Sequence, residues 1–284
     1  MIRSLILGVI SIFVGSIASA GPIFLTGHDP DFHAQLEVGA RNLLTSGIAF
    51  VTGGTYVQGT TFAGASTQGS QFLWVESRIP TPGGHLIGKN GLSAIGLSEG
   101  TDFTHVNAAE FLALTEAQLG SYSAIAVASS FGGLLTRAEL DALTSRSGDI
   151  ANFINNGGGL FASSECYPCG SNLLAGATAP SLFGFLPISV TSILNVAPYA
   201  VTAEGASGPY LLQNGDLQSP THNAFGETGG LTVLDRDANG NATTLAGNFN
   251  ITGGGFVPVP EPGTLLLSIL GITGLLISRR RTVR

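Results

Sequence analysis

The chain has 284 residues, 41 of them Gly and only 10% of them charged, with a formal net charge of −7. Between residues 21 and 255, six Lys and Arg stand against seventeen Asp and Glu, a surface that repels phosphate backbones and excludes nucleic acid as a partner. Apolar residues are too frequent for a disordered acidic chain, and the length suits one large domain or two small ones.

In chain order, Arg3 precedes an apolar run over residues 5–17, followed by Ala18-Ser19-Ala20. Charged, apolar and small-residue regions in that order are those of a secretory leader, so residues 1–20 are expected to be a signal peptide, cut by signal peptidase after Ala20. The body is then residues 21–255, in an oxidising compartment.

The run Ile23-Phe24-Leu25-Thr26 suits a buried strand. Asp31, after Pro30, can cap a helix on which Phe32, Leu36, Ala40, Leu43 and Leu44 recur at helical spacing. Gly47 would end it, and Ile48-Ala49-Phe50-Val51 reads as the next strand, giving a β-α-β unit. Residues 50–100, rich in Gly, Thr and Ser, read as an irregular insertion with one strand at residues 72–76. Residues 123–128 form a near-continuous apolar strand. Thr136 and Glu139 have the spacing of a capping box, Leu140 and Leu143 continue one helical face, and Ile150, Phe153 and Ile154 make a second apolar patch. Asn156-Gly157-Gly158-Gly159 ends that helix before a strand at residues 160–163. Residues 231–234 and 242–245 flank Asp237-Ala238-Asn239-Gly240, a hairpin with an Asn-Gly turn. Strands alternating with helices predict an α/β fold, a mostly parallel sheet covered on both faces with a C-terminal hairpin.

Several clusters could carry chemistry. His28, Asp29, Asp31 and His33 follow the first strand, where open parallel sheets gather ligands, and imidazole with carboxylate could hold a divalent metal; capping by Asp31 and a solvated loop is the plainer reading. Asp235, Asp237 and Asn239 have the 1-3-5 oxygen spacing of a Ca2+ loop, but Ala246 stands where the bidentate Glu belongs, and a hairpin turn also explains the glycine. Cys166 and Cys169 are the only cysteines. In Cys-Tyr-Pro-Cys they suit a local disulfide, a redox pair or half a metal site. His105 and His222 read as isolated loop histidines.

The segment over residues 149–165, a helix, a Gly-rich turn, a strand and a following elbow, is similar to class I glutamine-amidotransferase-like, flavodoxin-like domains. That resemblance implies a nucleophile at the elbow with a histidine partner. The elbow here falls at Ser164-Glu165, Cys166 comes one or two positions later, and no His-Pro-Glu motif appears. A fold does not carry the activity of its relatives, so the resemblance leaves two readings: a binding domain without catalysis, or a hydrolase using Cys166 or Ser164.

At the C-terminus, Pro260-Glu261-Pro262 precedes an apolar stretch over residues 263–278 and the cluster Arg279, Arg280 and Arg281 within a basic end at residues 279–284. Prolines forbid a helix through 258–262. Sixteen helical residues span about 24 Å, short of the ~30 Å hydrocarbon core, so the arginines must reach for headgroups and stay on the cytoplasmic side. Residues 256–284 resemble the PEP-CTERM sorting signal of Gram-negative bacteria. This resemblance implies inner-membrane anchoring, recognition by an exosortase, cleavage near the triplet and transfer to the cell surface or beyond, often with exopolysaccharide and biofilm. The expectation is an exported surface or matrix protein.

Overall fold

The computed structural model describes residues 20–60, 71–78, 88–130, 135–163, 182–186, 188–218, 220–252 and 255–258. Ser164, Glu165, Cys166, Cys169, Ala18, the Pro260-Glu261-Pro262 triplet and residues 263–284 lie outside them. The described residues contain no helix long and apolar enough to cross a membrane.

β1 (Gly21–Thr26), β2 (Phe72–Val75), β3 (Phe103–Val106), β4 (Ala124–Val127) and β5 (Gly159–Ala162) form a parallel array in the order β3-β2-β4-β5-β1. β2, β4 and β5 are fully buried, as apolar strands covered on both faces should be. Helices α1 (Pro30–His33), α2 (Val38–Val51), α3 (Lys89–Ala94), α4 (Ala108–Ala113), α5 (Glu116–Leu119), α6 (Arg137–Ser145) and α7 (Ser147–Asn155) cover the sheet, α2 on β1 and β5 and α7 on β1, β5 and β10 (Ala242–Thr252).

The sheet does not stay parallel. Beyond β1 it continues antiparallel through β10, β8 (Ala224–Thr228) and β6 (Val190–Ile193), while β9 (Thr232–Arg236), β7 (Ala200–Val201) and β11 (Gly255–Pro258) attach through β10 and β9. The mostly parallel sheet expected from the alternation of elements is therefore a mixed one. β10 is the reason: its 11 residues are long enough to hold β1 and then β8 along one side and β9 and β11 along the other. The sheet also takes in residues 255–258, past the expected end of the body.

Local expectations met mixed outcomes. The Thr136–Glu139 capping box is formed at the start of α6, and Gly157 turns the chain after α7 with φ +93°. The β9–β10 hairpin is present with Gly240 at φ +83°. The expected β-α-β unit fails. α2 runs through Gly47 to Val51, so the expected strand there is the last turn of a helix. Asp31 is inside α1 and not its cap, and Leu36 lies between α1 and α2, 71% exposed. Within residues 50–100 the expected strand is present as β2, interior to the sheet, and the helix α3 is added where irregular chain was expected.

Gly47 is small for packing, not for termination. Phe24 and Phe161 are register partners on one face, with ring centroids 5.8 Å apart and planes at 17°. A Cβ on Gly47 would meet the Phe161 ring at 2.7 Å and Phe24 at 3.0 Å. Gly47→Ala is therefore expected to cost about 1–3 kcal/mol by overpacking, against the gain of up to ~1 kcal/mol that helix propensity alone would give. The midpoint of urea unfolding gives the sign, and a more stable variant would overturn the packing account.

Candidate functional site at the carboxyl edge of the sheet

After β2 the chain steps one way to β3, then returns past β2 to β4, so the winding reverses between β2 and β4. In open α/β sheets the crevice outside the carboxyl ends at such a reversal is where ligands bind. The residues that follow are Glu76 after β2 and Ser129 and Ser130 after β4, and α1 lies across the same edge.

Asp31 is fully buried, and its Oδ2 accepts the Ser129 amide at 2.9 Å. The backbone is close enough to α3 that a Cβ on Gly91 would meet the Asp31 carbonyl oxygen at 1.8 Å, which only glycine allows. Glu76 is also fully buried. Its carboxylate accepts from Trp74 Nε1 at 2.8 Å, the Gly88 amide at 2.5 Å and the Lys89 amide at 3.2 Å, tying β2 to the start of α3. Burial pushes the Glu76 carboxyl up to about 7 despite these donors. Burial, with the charge of Asp29 beside it, holds Asp31 well above the usual carboxylate range. Burial acts on Asp29 in the same sense, but the neighbouring His222, Asp31 and His33 side chains outweigh it and hold Asp29 below its ordinary value. The two adjacent carboxyls are thus pushed in opposite directions, Asp31 toward keeping a proton and Asp29 toward losing one.

Asp29, 1% exposed, lies between two histidines: Oδ2 is 3.7 Å from His222 Nε2 and 3.8 Å from His33 Nε2, both beyond hydrogen-bonding reach. His33 is oriented from its other nitrogen by Glu37, 3.2 Å from Nδ1. Both oxygens of Asp29 and Oδ1 of Asp31 are buried, and among the described residues no backbone N–H or other side-chain donor meets them. Among the described residues no group of three or more His, Cys, Asp or Glu side chains is arranged to hold a metal ion.

The structure divides the motif over residues 28–33. His28 turns away from Asp29, with Nε2 3.2 Å from Asp235 Oδ1 and Nδ1 2.6 Å from Thr221 Oγ1. Thr243 bonds the same Asp235 oxygen. His28 and Asp235, separate clusters by sequence, thus form one fully buried pair joining the end of β1 to the antiparallel half. Asp237 serves its own turn: Oδ1 accepts the Asn239 and Asn241 amides, and Oδ2 accepts the Val196 amide and Asn241 Nδ2. His105 is anchored rather than isolated, its Nε2 3.0 Å from the Glu76 carbonyl oxygen, and burial lowers its affinity for a proton.

Glu76, Ser129 and His222 were not marked by sequence spacing as members of this cluster. Glu76 had one local signal, as the first charged residue after an apolar strand. His222 had none, because its place beside Asp29 depends on a contact 193 residues long in sequence, of which the His222 amide to Gly27 carbonyl bond, 2.8 Å, is part.

A cleft of about 700 Å3 lies at the opposite, amino edge, lined by Ala20, Pro22, Thr52, Ser123, Asn152 and Gly157 among others. It contains none of the acidic cluster.

Residues 258–281 match the family model described as the PEP-CTERM protein-sorting motif. The chain thus carries a C-terminal signal for sorting to the cell exterior, by membrane-anchored processing with an exosortase-type enzyme. No match was found among curated proteins or among solved structures, so the amidotransferase-like reading of the body gains no support from them.

Proposed function

We propose that the protein is exported through an N-terminal leader cut after Ala20, and is held by residues 263–278 until sorting. Its body then acts at the cell surface as a binding domain for a polyhydroxylated ligand, of the kind an exopolysaccharide offers. The observation that carries the binding role is the buried Asp29–Asp31 pair, three of whose oxygens no backbone N–H or other side-chain donor among the described residues meets. Such groups cost about 1–3 kcal/mol each when left unpaired. Sugar hydroxyls are the matching donors, and the place is the winding reversal where this class of sheet binds ligands.

The test uses the exported, processed protein with neutral oligosaccharides from a hydrolysate of the cells' own exopolysaccharide as probe. The melting temperature is expected to rise with probe concentration, by an amount that follows RT ln(1 + [L]/Kd). Asp29→Asn should fold and lose that rise. No rise in either protein removes the binding role.

A second reading, a hydrolase with the flavodoxin-like fold, draws support from the end of β5. Ser163 bonds the Val127 carbonyl at the same edge as the Asp29 cluster, and Ser164 and Cys166 follow directly in the chain. The order of β2 to β5 is that of the first four strands of a flavodoxin-like sheet, with β1 in the fifth position. In the same experiment, probe recovered shortened would favour this reading over binding alone.

A further inference from the structure

Both ends of the folded body leave from one level of the sheet. Gly21 pairs with Phe249 on one side of β10, and Pro258 pairs with Phe249 on the other. The first residue after the expected leader and the first residue of the sorting motif are therefore two strand spacings apart, about 9.5 Å. Both lie at the amino edge, where Ala20 and Pro22 line the 700 Å3 cleft.

We propose that this amino edge is the face that the protein turns toward the bilayer while its tail is anchored, with the carboxyl edge and its acidic cluster turned away. The inference rests on the reading that residues 263–278 enter the membrane.

The tether sets the geometry. From Pro258 to Gly263 the chain can span at most about 17 Å. β1 alone rises about 17 Å from Gly21 to Thr26, and the carboxyl edge extends further, because β10 continues past Thr244, the partner of Thr26, to the turn at Asn239-Gly240. β11 runs toward the carboxyl edge, yet a fully extended tether would only draw level with Thr26 and could not bring that turn to the lipid. The leader, while attached, imposes the same side, since residue 20 joins β1 directly. Charge does not supply the contact: Glu116 and Asp149 at the cleft would be repelled by anionic headgroups. The tether alone orients the body.

The test reconstitutes the full-length chain, purified from cells lacking the sorting enzyme, into phosphatidylethanolamine and phosphatidylglycerol vesicles that carry an acceptor dye on the headgroups. A donor dye is attached through a non-natural amino acid at Asn156 on the amino edge or Asn239 on the carboxyl-edge turn, both exposed. Energy transfer is expected to be stronger from position 156, with a distance to the membrane surface shorter by about the height of the sheet, ~20 Å. Equal transfer, or stronger transfer from position 239, in a vesicle-bound chain overturns the orientation alone. A chain that does not float with the vesicles removes the anchoring reading, and the orientation with it.

Discussion

Raising the pH from about 5 to about 8 is expected to weaken the fold by about 3 kcal/mol through Glu76 alone. The folded state keeps its proton until about 7, while the unfolded chain releases it at the ordinary value of 4.5. Between those values the unfolded state binds fewer protons, so stability falls as the pH rises, and the full penalty is present above 7. Asp31, also raised, adds a loss of the same sign. Asp29, held low, acts oppositely, and only below its ordinary value of 3.8. His105, whose proton affinity burial reduces, gives a smaller opposing gain just below 6.5. Denaturant unfolding at the two pH values measures the difference. Glu76→Gln should remove most of it, at the cost of lower stability at pH 5, because an amide nitrogen would face the Gly88 or Lys89 donor. Stability that is flat or rising from pH 5 to 8 would sink this account.

The second large effect is at Trp74, fully buried in β2 and bonded through its indole N–H to Glu76. Trp74→Ala should cost about 3–5 kcal/mol, the range for emptying a large aromatic site. Trp74→Phe retains most of the packing and removes only the donor, with an expected cost of about 1–3 kcal/mol. The indole bond lowers the Glu76 proton affinity, so its loss should also move the upper end of the pH transition above 7. Stability measured across pH in the Phe variant separates the two contributions: an unmoved transition would mean that Trp74 acts through packing alone.

The parts of the fold legible in the sequence are those whose cause is local. β4 and β5 are short apolar runs, and the Thr136 and Glu139 side chains serve the first turn of their own helix, so periodicity and spacing suffice. Gly47 reads as a helix stop because its constraint comes from Phe161, 114 residues away, and not from its own helix. Without that ring, a glycine before Ile48-Ala49-Phe50-Val51 reads as a stop followed by a strand. β3 was hidden because His105 and Thr104 interrupt its apolar pattern, and the extent of β10 was hidden because Gly247, Asn248 and Asn250 read as loop. At the site, the sequence placed His28, Asp29, Asp31 and His33 at the correct edge, since that follows from their position after a strand. It could not show that His28 pairs with Asp235 while Asp29 faces His222, because both contacts join residues about 200 apart in the chain.

β1 is the first strand made, yet its antiparallel neighbour spans residues 242–252, and Gly21 waits for Phe249. A polypeptide that threads a translocation pore from its amino end cannot close this sheet until nearly all of it has emerged. Long-range pairing of this kind is slow to form. β1 can meet β5 earlier, but its other edge stays open until β10 arrives, so the order of the strands sets a delay on completing the sheet.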